Sequence, residues 1–194
     1  MSTKSPAKKA KKKKPKKDSS TRGNASQFFV AGELCRRGYS AVVTLGNTPN
    51  VDILCSNLEG TRFAHIQVKT FIPGKGTCSV GMKATKDFGP SFFWVLGGIP
   101  KPEPESENED DFVYYIIPAC EMAKNVNASH VLWLATPGKD GQPHLDSKVR
   151  TVGLPPRTCF NGWNIEPYKN RWDLIENHLN RKPTATDSPA TDAP

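Results

Sequence analysis

The sequence predicts one mixed α/β domain, a mixed β-sheet core flanked by helices, set between two tails of low complexity. Three observations lead there. Apolar stripes at helical spacing lie near both ends of the central region, short β-branched and apolar runs fill the space between them, and large apolar side chains are almost missing from residues 1–22 and 181–194. A chain of 194 residues holds one ordinary domain more comfortably than two. The reading is a Lys-rich disordered arm over 1–22, a folded domain over 24–180 and a disordered Pro/Thr/Ala/Asp tail over 181–194.

Within the domain, Asn24 followed by Gln27 has the form of an N-cap with its reciprocal partner, so a helix is expected over roughly 25–37. Phe28, Ala31 and Cys35 form its stripe, and Arg36-Arg37-Gly38 supplies a basic last turn and a terminal glycine. Ser40 to Leu45 reads as a first strand and Val51 to Cys55 as a second. A turn at Asn57 to Gly60 leads to a third strand, Arg62 to Thr70. There, alternation sends Ala64, Ile66 and Val68 one way and Phe63, His65, Gln67 and Lys69 the other.

A short strand is expected near Cys78 to Met82, and two apolar strands at 92–99 and 111–117, separated by an acidic, Pro-rich stretch from Glu103 to Asp111. Pro118 suits the first turn of a helix ending near Val126, and Val131 to Leu134 reads as a strand or a helix end. Thr136 to Arg157 has the composition of a long surface loop. Tyr168, Trp172, Ile175 and Leu179 form the stripe of a closing helix.

The formal charge of +8 is a property of the arm. Nine lysines and Arg22 stand there against Asp18, leaving 17 bases and 18 acids elsewhere. Lys11, Lys12, Lys13, Lys14, Lys16 and Lys17 would attract phosphate by counterion release, and the same run would serve equally as a nuclear-import signal, an RNA contact or a solubilising leader. Five cysteines without paired spacing read as reduced core thiols, and four scattered histidines argue against structural zinc. The tryptophans read as core or interface residues. With no apolar run of membrane-spanning length and no secretory leader pattern, a cytoplasmic or nucleoid-associated protein is expected.

The chemistry is concentrated in Asp52 and, fifteen residues on, Gln67-Val68-Lys69. Gln67 and Lys69 share a strand face, and a short turn joins their strand to the one carrying Asp52, so a carboxylate, an amide oxygen and an ammonium can meet at one sheet edge. Asp52, the Gln67 side-chain oxygen and a backbone carbonyl between them suit a hard cation such as Mg²⁺. Such an ion activates water and polarises phosphate, while Lys69 positions the nucleophile or offsets charge on the phosphorane. Glu33 in the first helix can add a further carboxylate, directly or through a ligand. His65 lies on the same face but is more often structural, and Lys75, Lys83 and Lys86 follow in a loop from which they could touch a nucleic-acid backbone.

Residues 24–70 resemble the core of the PD-(D/E)XK nuclease superfamily, particularly Mrr-type restriction endonucleases and Holliday-junction-resolvase-like members. Their order of helix Glu, Asp, then Glu-or-Gln-x-Lys is matched by Glu33, Asp52, Gln67 and Lys69. The resemblance implies a restriction-endonuclease-like sheet, Mg²⁺- or Mn²⁺-dependent cleavage of DNA, and a carbonyl ligand from Val68. Nucleases of this fold often dimerise to cut both strands, although no self-complementary surface is legible here. Two departures stand out. Val51 occupies the position of the name-giving proline, and the neutral Gln67 replaces the commoner acid. Endonuclease activity is therefore weighed against a catalytically inactive nucleic-acid-binding module on the same fold. A protein-interaction component of a defence or mobile-element system, using the acidic 103–111 stretch, is the third reading.

Overall fold

The computed structural model describes residues 19–45, 48–100 and 112–182. Lys11 to Lys17, the acidic stretch 103–111 and most of the C-terminal tail therefore lie outside the described residues. The architecture is the expected mixed sheet flanked by helices, with five strands in the order β1-β2-β3-β5-β6. These are β1 (Ser40–Val43), β2 (Ile53–Ser56), β3 (Phe63–Phe71), β5 (Phe92–Gly98) and β6 (Val113–Pro118). β4 (Thr77–Ser79) and β7 (Thr151–Gly153) form a separate two-stranded ribbon.

β3 is the centre of this arrangement. It runs antiparallel to β2, with Ile53 opposite Ile66, and parallel to β5, with Gln67 beside Trp94 and Lys69 beside Leu96. Strand alternation then divides the core in two. Ile53, Cys55, Ala64, Ile66, Val68, Phe93 and Val95 pack with Val30, Ala31 and Leu34 of α1 (Ser19–Arg36) and with Ile175 and Leu179 of α3 (Asp173–Asn180). Phe92, Trp94, Leu96, Tyr115 and Ile117 face the other way, against Met122 and Val126 of α2 (Ala119–Ala135) and against the β4–β7 ribbon.

Several boundaries differ from the sequence expectation. α1 begins at Ser19, so Asn24 is inside the helix and its capping pattern marks no start. A capping residue is a preference, and no proline lies between Ser19 and Asn24 to stop the helix from running through it. Its end is as expected: Gly38 has φ 91°, and the Tyr39 N–H donates to the Leu34 carbonyl at 3.1 Å, closing the last turn. α2 runs through Val131 to Leu134 to Ala135, nine residues beyond the expected end, and this added stretch still meets the segment that follows, Ser129 Oγ accepting the Phe160 N–H at 3.0 Å. Pro118 ends β6 and caps this helix from outside its first turn.

The expected surface loop over 136–157 contains β7, whose three residues find partners in β4. Val152 and Leu154 are buried under it. All five cysteines are free, but only Cys55, Cys78 and Cys159 are core thiols, since Cys35 and Cys120 are exposed. Trp94 and Trp172 are core residues, while Trp133 and Trp163 are half-buried.

One close approach fixes α1 on the sheet. A Cβ added to Gly97 would stand 2.5 Å from Ser26 Oγ, whose hydroxyl is fully buried and has no hydrogen-bond partner among the described residues. Gly97→Ala is expected to destabilise the fold by about 1–3 kcal/mol through overpacking. Combining it with Ser26→Ala should recover most of that loss. Chemical denaturation of both variants checks this, and equal losses in the single and double variants would contradict the contact.

Candidate active site at the edge of the central strand

Asp52 is one residue ahead of β2, in a bend and outside the strand in which it was expected. Its backbone still continues the sheet. Its N–H donates to the Ile66 carbonyl at 2.9 Å, and its carbonyl accepts from the Thr44 N–H at 2.9 Å. Thr44 adds a second hold, its hydroxyl donating to the Val51 carbonyl at 2.6 Å. No spacing in the sequence marks Thr44 as the residue that fixes the backbone on either side of Asp52.

With the backbone held on both sides, the side chain has a defined position. Asp52 Oδ2 accepts the Val68 backbone N–H at 2.7 Å and is also hydrogen-bonded by Gln67 Nε2. Gln67 is buried, only 5% exposed, so its amide is held where the carboxylate is. The Val68 N–H points toward Asp52, and a strand residue directs its N–H and C=O to the same side, so the Val68 carbonyl opens on this same edge. Lys69 is the next side chain beyond Gln67 on that face. It is half-buried, and its charge partly offsets the burial that pushes the Cys78 thiol up to about 12. Among the described residues no ion pair joins Lys69 to Asp52.

The structure thus brings Asp52, Gln67 and Val68 together, with Lys69 beside them, and places Glu33 elsewhere. Glu33 is on α1, which covers the opposite face of the sheet from Gln67 and Lys69. Its carboxylate takes the Arg36 Nε and Nη2 at 2.8 Å each and the Arg37 Nε at 2.8 Å, and Arg37 also binds Glu176 at 2.9 Å. The hydrogen bond from Arg36, helped by Arg37, holds the Glu33 carboxyl below its ordinary value against the opposing effect of burial. His65 is on the Gln67 face, where its Nδ1 lies 3.5 Å from Ser91 Oγ. Lys75, Lys83 and Lys86 are exposed.

Among the described residues no group of three His, Cys, Asp or Glu side chains is gathered for a metal. A divalent cation at this edge would have one carboxylate and two neutral oxygens from the protein, those of Asp52, Gln67 and Val68. That sparse set fits Mg²⁺, which commonly keeps several waters and is bound through one or two carboxylates together with substrate phosphate. The Gln67 amide presents its nitrogen to Asp52, and a half-turn about its last bond would present oxygen instead.

No protein-family model matches the chain, and no curated protein sequence matches it. Among solved structures, a bacterial homing endonuclease, I-Ssp6803I, is similar over 82% of this chain and 93% of its own, with 16% sequence identity and a TM-score of 0.46. A likeness at that level assigns neither a family nor a role to any residue. No helix among the described residues is long and apolar enough to cross a membrane.

The Glu33 cluster has a consequence for stability. A carboxyl whose value is lowered by folding contributes stability above its unfolded value, and that contribution is lost as pH falls through the folded one. Glu33 has an ordinary value of 4.5 and is lowered in the fold, so its contribution to stability should disappear on the acid side of 4.5. Denaturation midpoints of wild type and Glu33→Gln are expected to converge as pH drops below that range. Midpoints that stay equally far apart would contradict the ion pairs.

Proposed function

We propose that this protein is a divalent-metal-dependent DNA endonuclease, with Asp52, Gln67 and the Val68 carbonyl as the metal-holding set and Lys69 as the charge beside the nucleophile. The observation that carries the reading is the junction of the Asp52 carboxylate with the Gln67 amide and the Val68 backbone at one strand edge. The resemblance of Asp52, Gln67 and Lys69 to the PD-(D/E)XK order agrees with it. Mg²⁺ or Mn²⁺ bound there would supply Lewis acidity and a water of lowered pKa.

The chain's own residues do the rest. Asp52 offers its second carboxylate oxygen, since Oδ2 is already engaged. Gln67, being neutral, holds an oxygen or a proton in place without adding charge. Lys69, two residues beyond Gln67 on the same strand face, would orient an attacking water and offset negative charge gathering on phosphorus. Lys11, Lys12, Lys13, Lys14, Lys16 and Lys17 lengthen residence on DNA without selecting sequence.

A second reading has its own observation. Asp52 Oδ2 is satisfied by protein donors, and Glu33, the other candidate carboxylate, is engaged by two arginines on the far face. Those facts favour a nucleic-acid-binding module that does not cut. Plasmid nicking separates the two. The nuclease reading expects conversion of supercoiled DNA with Mg²⁺ or Mn²⁺, none with a chelator, and a loss of at least about a hundredfold in Lys69→Ala, in the range seen when a group that stabilises transition-state charge is removed. Activity unchanged in Lys69→Ala would refute it, and metal-independent binding that vanishes on removal of residues 1–22 would favour the second.

A further inference from the structure

A different part of the molecule carries a buried charge with an unsatisfied donor. α2 and the segment over 147–160 enclose a cavity of about 350 Å³, whose lining includes none of Asp52, Gln67 or Lys69. Ser129, His130 and Trp133 of α2 line one side, and Arg150, Thr151 and Thr158 line the other. Arg150 is 6% exposed, so its guanidinium is a buried cation.

The partners of that cation are incomplete. Nη1 donates to two neutral acceptors, the Ser147 carbonyl at 2.5 Å and the Val149 carbonyl at 2.8 Å. Nε is buried and meets no acceptor among the described residues, and Nη2 reaches Asp146 Oδ1 at 3.4 Å. Asp146 is itself 65% exposed and is also held at 2.9 Å by His130 Nε2, so it is a solvated counter-ion shared between two groups. A buried cation with an unsatisfied Nε is costly, and an anion in the cavity, met by a turn of the guanidinium toward it, would relieve the cost.

We propose that this cavity binds a phosphoryl group, taken bidentately by the Nε–Nη2 edge of Arg150 once the guanidinium turns that edge toward the cavity it lines. A planar carboxylate would use only that edge. A tetrahedral oxyanion can also use donors set around it, and the lining supplies hydroxyls in Ser129, Thr151 and Thr158. Ser129 Oγ accepts the Phe160 N–H at 3.0 Å, which leaves its own proton to donate. The volume exceeds that of phosphate alone and leaves room for an attached sugar against Trp133, whose ring is stacked on His144 at 4.1 Å. The phosphoryl group can come from a free nucleotide or from the 5′ end of a nucleic acid. The inference is independent of the nuclease reading, since plasmid nicking can fail while this binding persists.

Calorimetric titration of the full chain tests it, at about 0.15 M salt so that binding to the lysine arm is screened. The probes are inorganic phosphate, thymidine 5′-monophosphate, thymidine, and one oligonucleotide with and without a 5′-phosphate. Binding of the phosphorylated probes at one site, with thymidine silent, is the expected result. Arg150→Gln should weaken it by about tenfold or more, as expected for loss of a charge-assisted bidentate pair. Asp146→Asn removes the competing carboxylate and should tighten it several-fold, a gain that a misfolded variant cannot produce. Preference for the 5′-phosphorylated oligonucleotide would identify an end-binding site, and preference for the mononucleotide a free-nucleotide site. Equal binding of thymidine and its monophosphate, no binding of any phosphorylated probe, or wild-type affinity in both variants would each overturn the proposal.

Discussion

The register of β3 between β2 and β5 is the constraint on which the rest of the molecule depends. Side chains on a strand alternate with a period of two, so one register puts Ile66 and Val68 against α1 and leaves Gln67 and Lys69 on the other face. A slip by one residue would bury Lys69 beneath the helix and turn Val68 away from it. Asp52 helps to hold that register from outside the strand. Its N–H donates to Ile66 and its carboxylate accepts from Val68, so one residue makes both a sheet bond and the contact that defines the candidate site. Fold and site are therefore not separable at this point: the hydrogen bonds that align β2 with β3 are the ones that bring the carboxylate to the Gln67 amide.

The same sheet sorts the charges. On the α1 face, Glu33 is neutralised by Arg36 and Arg37, and Arg37 is shared with Glu176 of α3. That network ties the first helix to the last and leaves no carboxylate free for chemistry. On the other face Asp52 is answered mainly by N–H donors that carry no charge, an arrangement that holds an anion without neutralising it. At the α2 end the imbalance has the opposite sign, because Arg150 is buried among carbonyls with one solvent-exposed acid at 3.4 Å. The two proposed sites would then have complementary needs, a cation for the first and an anion for the second.

Much of this was legible in the residues. The alternation of Ala64, Ile66 and Val68 against Gln67 and Lys69 identified the face, and the short turn at Asn57 to Gly60 required β2 to pair with β3. The long 15-residue separation of Asp52 and Gln67 therefore closed on itself, as expected from a hairpin. The helix carrying Glu33 was also found, but a helix has several faces and the sequence does not say which one meets the sheet. Arg36 and Arg37, three and four residues on, were the local sign that Glu33 is an ion-pair residue. Thr44 and Arg150 escaped because their roles come from tertiary contacts with no local pattern. The 136–157 stretch hid β7 for the same reason: its three residues become a strand only when β4 pairs with them.

Binding of Mn²⁺ to the protein, followed by electron paramagnetic resonance in wild type and in Asp52→Asn, tests the central claim most directly, because it reads the metal set without depending on the right DNA substrate. One bound Mn²⁺ per chain, lost or much weakened when Asp52 becomes an amide, is the result this account requires. Binding unaffected by Asp52→Asn, or no bound Mn²⁺ at millimolar concentration, would contradict it.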